Sequence, residues 1–159
     1  MSRHGAHRHP PGARRPARTM DTDGNRTLRD LWDELARTRA DEPCLVHEDP
    51  AGLVTALTYG EMATRIARAA NLLLSLGVRQ GDCVGVHLGN TVQQLECLFA
   101  LACIGAVYVP IHPRSTAAEC ARTLARVDAR LVVCEPDVRP AAGYPEGVRE
   151  LVARRSSPD

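Results

Sequence analysis

The chain has 159 residues, enough for one compact domain with its own core and too few for two large ones. Its 20 basic and 19 acidic residues nearly cancel, so net charge gives no pull toward nucleic acid. Aromatic residues make up 3%, too few for a base-stacking surface. The longest apolar run, Leu98 to Ile111, is broken by Gly105 and Pro110 and falls short of the ~18 residues of a membrane span.

The even charge balance hides an asymmetry. Arg3, Arg8, Arg14, Arg15 and Arg18 lie in residues 1–19 with no acid, which leaves 15 basic and 19 acidic residues beyond them. All 20 basic residues are Arg; the chain has no Lys. Residues 1–25, rich in Arg, His, Pro and Gly, read as a disordered basic tail with too little apolar content to order itself. His4, His7 and His9 are expected to be solvated there rather than to hold a metal, and Met20 is an alternative start to Met1. No apolar stretch follows the basic N-terminus, so a secretory signal is not expected. Six cysteines, at 44, 83, 97, 103, 120 and 134, stand singly with no Cys-x-x-Cys pair. That spacing argues against zinc and for reduced thiols in a cytoplasmic protein.

Thr27 to Arg39 reads as a helix: Leu28, Leu31, Trp32, Leu35 and Ala36 share one face, with Thr27 or Asn25 as cap. Cys44 to His47 and Val54 to Thr58 are expected to be the two strands of a hairpin around the turn residues Asp49, Pro50 and Gly52. Thr58-Tyr59-Gly60-Glu61 is a capping box opening a helix to Leu76, with Met62, Ile66, Ala69, Ala70, Leu73 and Leu74 inward and Gly77 as its stop. The pattern then alternates. Cys83 to Leu88 is a strand, and Val92 to Ile104 is a buried helix capped by Asn90 or Thr91. Val107 to Ile111 is a strand, Thr116 to Glu119 a second capping box opening a helix to about Val127, and Leu131 to Cys134 a third strand. Alternation at this spacing predicts an α/β fold: a partial doubly wound parallel sheet with flanking helices. The Pro- and Arg-rich segment 137–159 is expected to be irregular, with a short helix over Glu146 to Arg154, so the folded domain is placed at 26–136.

Three segments carry a resemblance. Leu57-Thr58-Tyr59-Gly60-Glu61-Met62, then Gly77-Val78 with Gly81-Asp82 and Val84, then Ala100 through Ile111 with Gly105-Ala106-Val107 and Val109-Pro110, occur in this order. Together they resemble the opening motifs of the adenylate-forming acyl-CoA synthetases, the AMP-dependent synthetase/ligase family. The resemblance covers Thr27 to Cys134, and Leu28, Leu31-Trp32 and Ala69 to Leu73 look most like the crotonobetaine/carnitine-CoA ligases. It implies the N-terminal subdomain of such enzymes, which use ATP, Mg and CoA. The residues of these motifs are read as structural: they cap helices, turn the chain and let a helix approach a strand.

The family's Ser/Thr/Gly-rich phosphate loop with Pro-Lys has no counterpart here, because Ser156-Ser157-Pro158 lacks the glycines and the Lys. The resemblance therefore predicts no catalytic, cofactor-binding or metal residue in this chain, and no ATP, Mg or CoA bound by the chain alone. His87, Asn90, His112 and Arg114 fall at ends of predicted strands, where open parallel sheets bind ligands. They are read as ordinary surface residues, with a supporting role near the acyl and CoA regions for His112 or Arg114 as the alternative. Gly85 to Gly89 does not fit a dinucleotide loop. Three functions follow: a truncated, inactive acyl-CoA synthetase; an interaction module pairing with a separately encoded remainder or a full-length homologue; or, disfavoured by the missing phosphate loop, a free-standing nucleotide-binding domain.

Overall fold

The computed structural model describes residues 26–153. The basic tail with its three histidines, Asn25 as a cap, and Ser156 to Pro158 lie outside the described residues. Helix α1, Leu28–Thr38, begins at Thr27, as expected, and on a full capping box with Asp30. The Thr27 hydroxyl accepts the Asp30 amide at 3.2 Å, and the Asp30 carboxylate accepts the Thr27 amide at 2.8 Å. That backbone hydrogen bond holds the Asp30 carboxyl below the usual carboxylate range. Only Trp32 of this helix is buried, its ring set edge-on to Phe99 at 4.9 Å. Leu28 and Leu31, expected inward, are exposed.

Strands β1, Pro43–Glu48, and β2, Val54–Thr58, pair antiparallel as the expected hairpin. The Asp49 carboxylate accepts the amides of Ala51 and Leu53 and closes the turn. Helix α2, Tyr59–Ser75, starts on the Thr58/Glu61 box and buries Met62, Ile66, Ala70 and Leu73. Leu74, expected inward, is exposed. The helix ends in a Schellman turn: the Val78 amide donates to the Leu73 carbonyl and the Gly77 amide to the Leu74 carbonyl, with Gly77 at φ +90°.

From there strands and helices alternate: β3 Cys83–His87, α3 Val92–Cys103, β4 Val107–Pro110, α4 Ala117–Arg126 and β5 Leu131–Cys134. A sixth strand, β6, spans Arg149–Val152. The sheet order is β4-β3-β5-β6, and every neighbouring pair is parallel. Alternate residues of the central strands enter two cores. Val84, Val86, Leu131 and Val133 pack with α1, α2 and α3, while Val132 packs with Ile111, Cys120 and Leu124 beneath α4. Helices thus cover both faces, as the uninterrupted apolar strands predicted. Gly85 belongs to the second contact. A Cβ there would lie 2.6 Å from Leu124 Cδ2, so the missing side chain is what lets α4 approach β3.

The short helix expected over Glu146 to Arg154 is not found across its described part, 146–153, where β6 stands instead. Gly147, at φ +84°, bars a helical start at Glu146, and Leu131 to Cys134 offers a sheet edge whose backbone needs partners. The Arg149 guanidinium donates to the Leu76 carbonyl at 2.6 Å, tying β6 to the end of α2. Arg139 grips Glu150 through two hydrogen bonds, which lowers the Glu150 carboxyl pKa. All six cysteines are free, and among the described residues no group of His, Cys, Asp or Glu is arranged to hold a metal ion.

Candidate functional site: a cleft at the carboxyl ends of the strands

Residues leaving β3 and β5 and the inner side of the hairpin border an open cleft of about 1060 Å³. The β3–α3 connection supplies Gly89, Asn90, Thr91 and Gln93, the end of β5 supplies Glu135 and Asp137, and the hairpin supplies His47 through Asp49 and Thr55. A cleft at this end of a parallel sheet is where α/β folds bind ligands.

Glu135 organises the cleft floor. It is buried at 4% exposure, yet both carboxylate oxygens have partners. The Thr91 hydroxyl donates to Oε1 at 2.8 Å, and the Gly89 amide lies 3.4 Å from Oε2. This explains a departure from expectation at α3. Thr91 occupies the N-cap position, but its side chain makes no capping bond to the helix; its hydroxyl is turned to Glu135 and donates there. A carboxylate at a helix N-terminus also complements the helix dipole.

Of the four polar residues singled out at strand ends, the structure brings only Asn90 to the cleft. His112 and Arg114 lie on the β4–α4 connection, exposed, with the Arg114 amide donating to His112 Nδ1 at 3.1 Å. His87, expected on the surface, is fully buried at 0% exposure. Its Nδ1 shares a 2.7 Å hydrogen bond with the Tyr144 hydroxyl, and the Cys120 sulfur lies 4.0 Å from the same atom. Nε2 is buried without a hydrogen-bond partner. Burial pushes the His87 pKa down, outweighing the nearby backbone of Pro113 and His112, so the ring is neutral. Burial raises the Cys120 and Tyr144 pKa values as well. With the thiol protonated and enclosed, Cys120 and His87 do not form a nucleophile–base pair. They are a polar contact inside the core joining β3, α4 and the segment before β6.

The cleft lining carries four carboxylates, Glu48, Asp49, Glu135 and Asp137, against one guanidinium, Arg65. Arg65 is itself paired with Glu96 at 3.2 Å. Such a lining repels a polyphosphate rather than gathering it, and among the described residues no backbone-amide loop with a free cation faces the space. In charge, this lining of four carboxylates and one paired guanidinium is a poor match for a polyphosphate.

Comparison with known proteins places this geometry. A family model described as "AMP-binding enzyme" matches residues 32–158. Over 121 residues the chain is 39% identical to a crotonobetaine/carnitine–CoA ligase of Salmonella paratyphi B, a match covering 76% of this chain and 23% of that protein. The N-terminal domain of FACL13 from Mycobacterium tuberculosis superposes with a TM-score of 0.71 at 24% identity, covering 81% of this chain and 34% of that domain. The nonribosomal peptide synthetase FmoA3 superposes with a TM-score of 0.70 at 28% identity, covering 80% of this chain and 13% of that one. The chain thus spans about a quarter of the curated ligase it matches. Its capping boxes, its parallel sheet and the family match over 32–158 agree: this chain belongs to the AMP-binding enzyme family.

Proposed function

We propose that the chain is the N-terminal scaffold of an ATP-dependent acid–CoA ligase. The assembled enzyme activates a carboxylic acid to an acyl-adenylate and passes the acyl group to CoA, in the manner of the crotonobetaine/carnitine–CoA ligases it resembles. The supporting observation is the 39% identity over 76% of the chain, on a fold shared with a fatty acyl CoA synthetase of Mycobacterium tuberculosis. On this reading the chain supplies a sheet, a hairpin and the cleft between them, while the groups that stabilise charge on the transferring phosphoryl group come from polypeptide beyond the matched region. The acid-rich cleft supports that division of labour, since its carboxylates oppose the charge of a triphosphate.

A transplant tests it. Residues 26–153 replace the matching segment of the Salmonella paratyphi B ligase, and CoA-thioester formation is measured with carnitine and crotonobetaine. Acid-dependent product is expected. A chimera that folds, by circular dichroism and light scattering, yet forms no acyl-adenylate would overturn the reading.

A second reading, a non-catalytic module that pairs with a separately encoded remainder or a full-length homologue, is favoured by the outer edge of β6, which is unpaired among the described residues. The two readings are compatible, because a scaffold supplied as a separate chain must associate in order to work.

A further inference from the structure

Between β5 and β6 the chain runs through a connection, residues 136–148, whose backbone is bonded mainly to itself. The amides of Val138, Gly143 and Val148 close turns onto the carbonyls of Glu135, Pro140 and Pro145. Two polar ties reach outward. Arg139 grips Glu150 on β6, and the Tyr144 hydroxyl shares its 2.7 Å hydrogen bond with His87 Nδ1 on β3. Tyr144 and Val148 add apolar contact with the core beneath α4. A segment tied down at so few points lies at the low end of local stability. Asp137 and Val138, at its start, line the cleft.

His87, fully buried, is badly placed to take a second proton. If the first sits on Nε2, the second comes to Nδ1, where the Tyr144 O–H donates, and that hydroxyl must turn away. If the first sits on Nδ1, the second comes to Nε2, which is buried without a hydrogen-bond partner. No facing group compensates the charge. Tyr144 from the connection, Cys120 from α4 and Cys134, in register with His87 on β5, are kept neutral by burial. His112, on the β4–α4 connection, opposes a second positive charge. The carboxylates of the surrounding elements hold other partners: Glu119 its cap Thr116, Glu135 Thr91, and Glu150 Arg139.

We propose that His87 is a proton-operated latch on the cleft: the neutral ring holds Tyr144 and keeps the 136–148 connection seated, and the protonated ring lets both go. Release draws Asp137 and Val138 back, so the cleft opens on that side in acid. The rest of the sheet stays in place, because β6 keeps its ladder to β5 and Arg149 keeps its bond to the Leu76 carbonyl. Only the connection has its seat on the histidine.

Hydrogen exchange read by mass spectrometry on the full 159-residue chain tests the latch. Protection of peptides within 136–148, corrected for the intrinsic pH dependence of exchange, is compared with that of α2 at about pH 7.5 and 5.5. The connection is expected to be at least about tenfold less protected than α2 at both values, because it opens without unfolding the core. Its protection is expected to fall several-fold, up to about tenfold, between the two, since opening frees an imidazole of ordinary pKa, about 6.5, to take the proton that the closed state refuses. His87→Gln, with no proton to gain, is expected to abolish that fall. Tyr144→Phe keeps the ring without the hydroxyl and is expected to lower protection of the connection about twofold to tenfold at about pH 7.5.

Protection in 136–148 that ignores pH overturns the proposal. So does protection equal to that of α2 at both values, or a pH dependence that survives His87→Gln. Should His87→Gln fail to fold, Tyr144→Phe decides: unchanged protection of the connection there overturns the latch. The readout is exchange rather than thioester formation, so the latch and the ligase reading stand or fall separately.

Discussion

Replacing Gly85 by alanine tests the contact between α4 and β3. The new methyl would sit 2.6 Å from Leu124 Cδ2, 3.2 Å from Val132 Cγ2 and 3.4 Å from Ile111 Cδ1. Leu124 is 1% exposed and Val132 is 0% exposed, so neither has free space to retreat into. Overpacking of this kind costs about 1–3 kcal/mol. Alanine is intrinsically better than glycine inside a strand by about 0.5–1 kcal/mol, which offsets part of that loss. A net destabilisation of about 1–2 kcal/mol is expected. Leu124→Ala alone should cost about 2–5 kcal/mol through the cavity it leaves. In the double variant the clash disappears and the methyl added at position 85 enters the vacated space, so the combined loss should fall about 1–3 kcal/mol short of the sum. Urea unfolding followed by the fluorescence of Trp32, the one tryptophan in the chain, measures all four corners of the cycle. A Gly85→Ala variant as stable as the parent, or single-variant losses that add within about 0.5 kcal/mol, would refute the packing argument.

Three further outcomes follow from the same structure. Thr58→Ala removes a hydroxyl that accepts the Glu61 amide and should lower stability by about 1 kcal/mol in the same urea assay, whereas Thr58→Ser should restore most of it. His87 has a folded pKa below its unfolded value of about 6.5. Above pH 6.5 both states are neutral and the group contributes nothing; below it the unfolded chain takes up the proton first. Stability should therefore decline as pH falls from 6.5 toward the folded pKa, with a slope of at most about 1.4 kcal/mol per pH unit from this group. Urea midpoints at about pH 7.5 and 5.5 for the parent and His87→Gln measure that share, and equal pH slopes in the two proteins would contradict it. The Cys97 thiol, pushed up to about 12 by burial, should stay unalkylated by iodoacetamide at about pH 8 in the folded chain and react once urea is added, as read by intact mass.

What the sequence disclosed was local, and what it withheld was long-range. The Thr58/Glu61 and Thr116/Glu119 boxes and the Gly77 stop lie within a few residues of the helix ends they define, so each was readable and each is present. The apolar runs Cys83 to Leu88, of which β3 takes all but the last residue, and Leu131 to Cys134 were readable as strands because helices cover both faces of the sheet. β6 was not readable. Its segment carries a weak helical pattern, and what makes it a strand is the β5 edge, together with Arg149 bonded to Leu76 across 73 positions. Tyr144 bonds to His87 across 57 positions, which is why a histidine expected at the surface lies in the core. Leu28, Leu31 and Leu74 followed the helical period but fall outside the width of face that the neighbouring elements cover. In the cleft, Asn90 was singled out and Glu135 was missed. The one available signal for Glu135 was a carboxylate directly after an entirely apolar strand, a position at the carboxyl edge of a parallel sheet.

The division between scaffold and chemistry is tested most directly by ATP–pyrophosphate exchange on the purified 159-residue chain, with Mg and either carnitine or crotonobetaine. No acid-dependent incorporation of labelled pyrophosphate into ATP is expected under conditions where the intact Salmonella paratyphi B ligase exchanges readily. Exchange that rises with acid concentration in the chain alone would contradict it, and would place the adenylating groups within these residues.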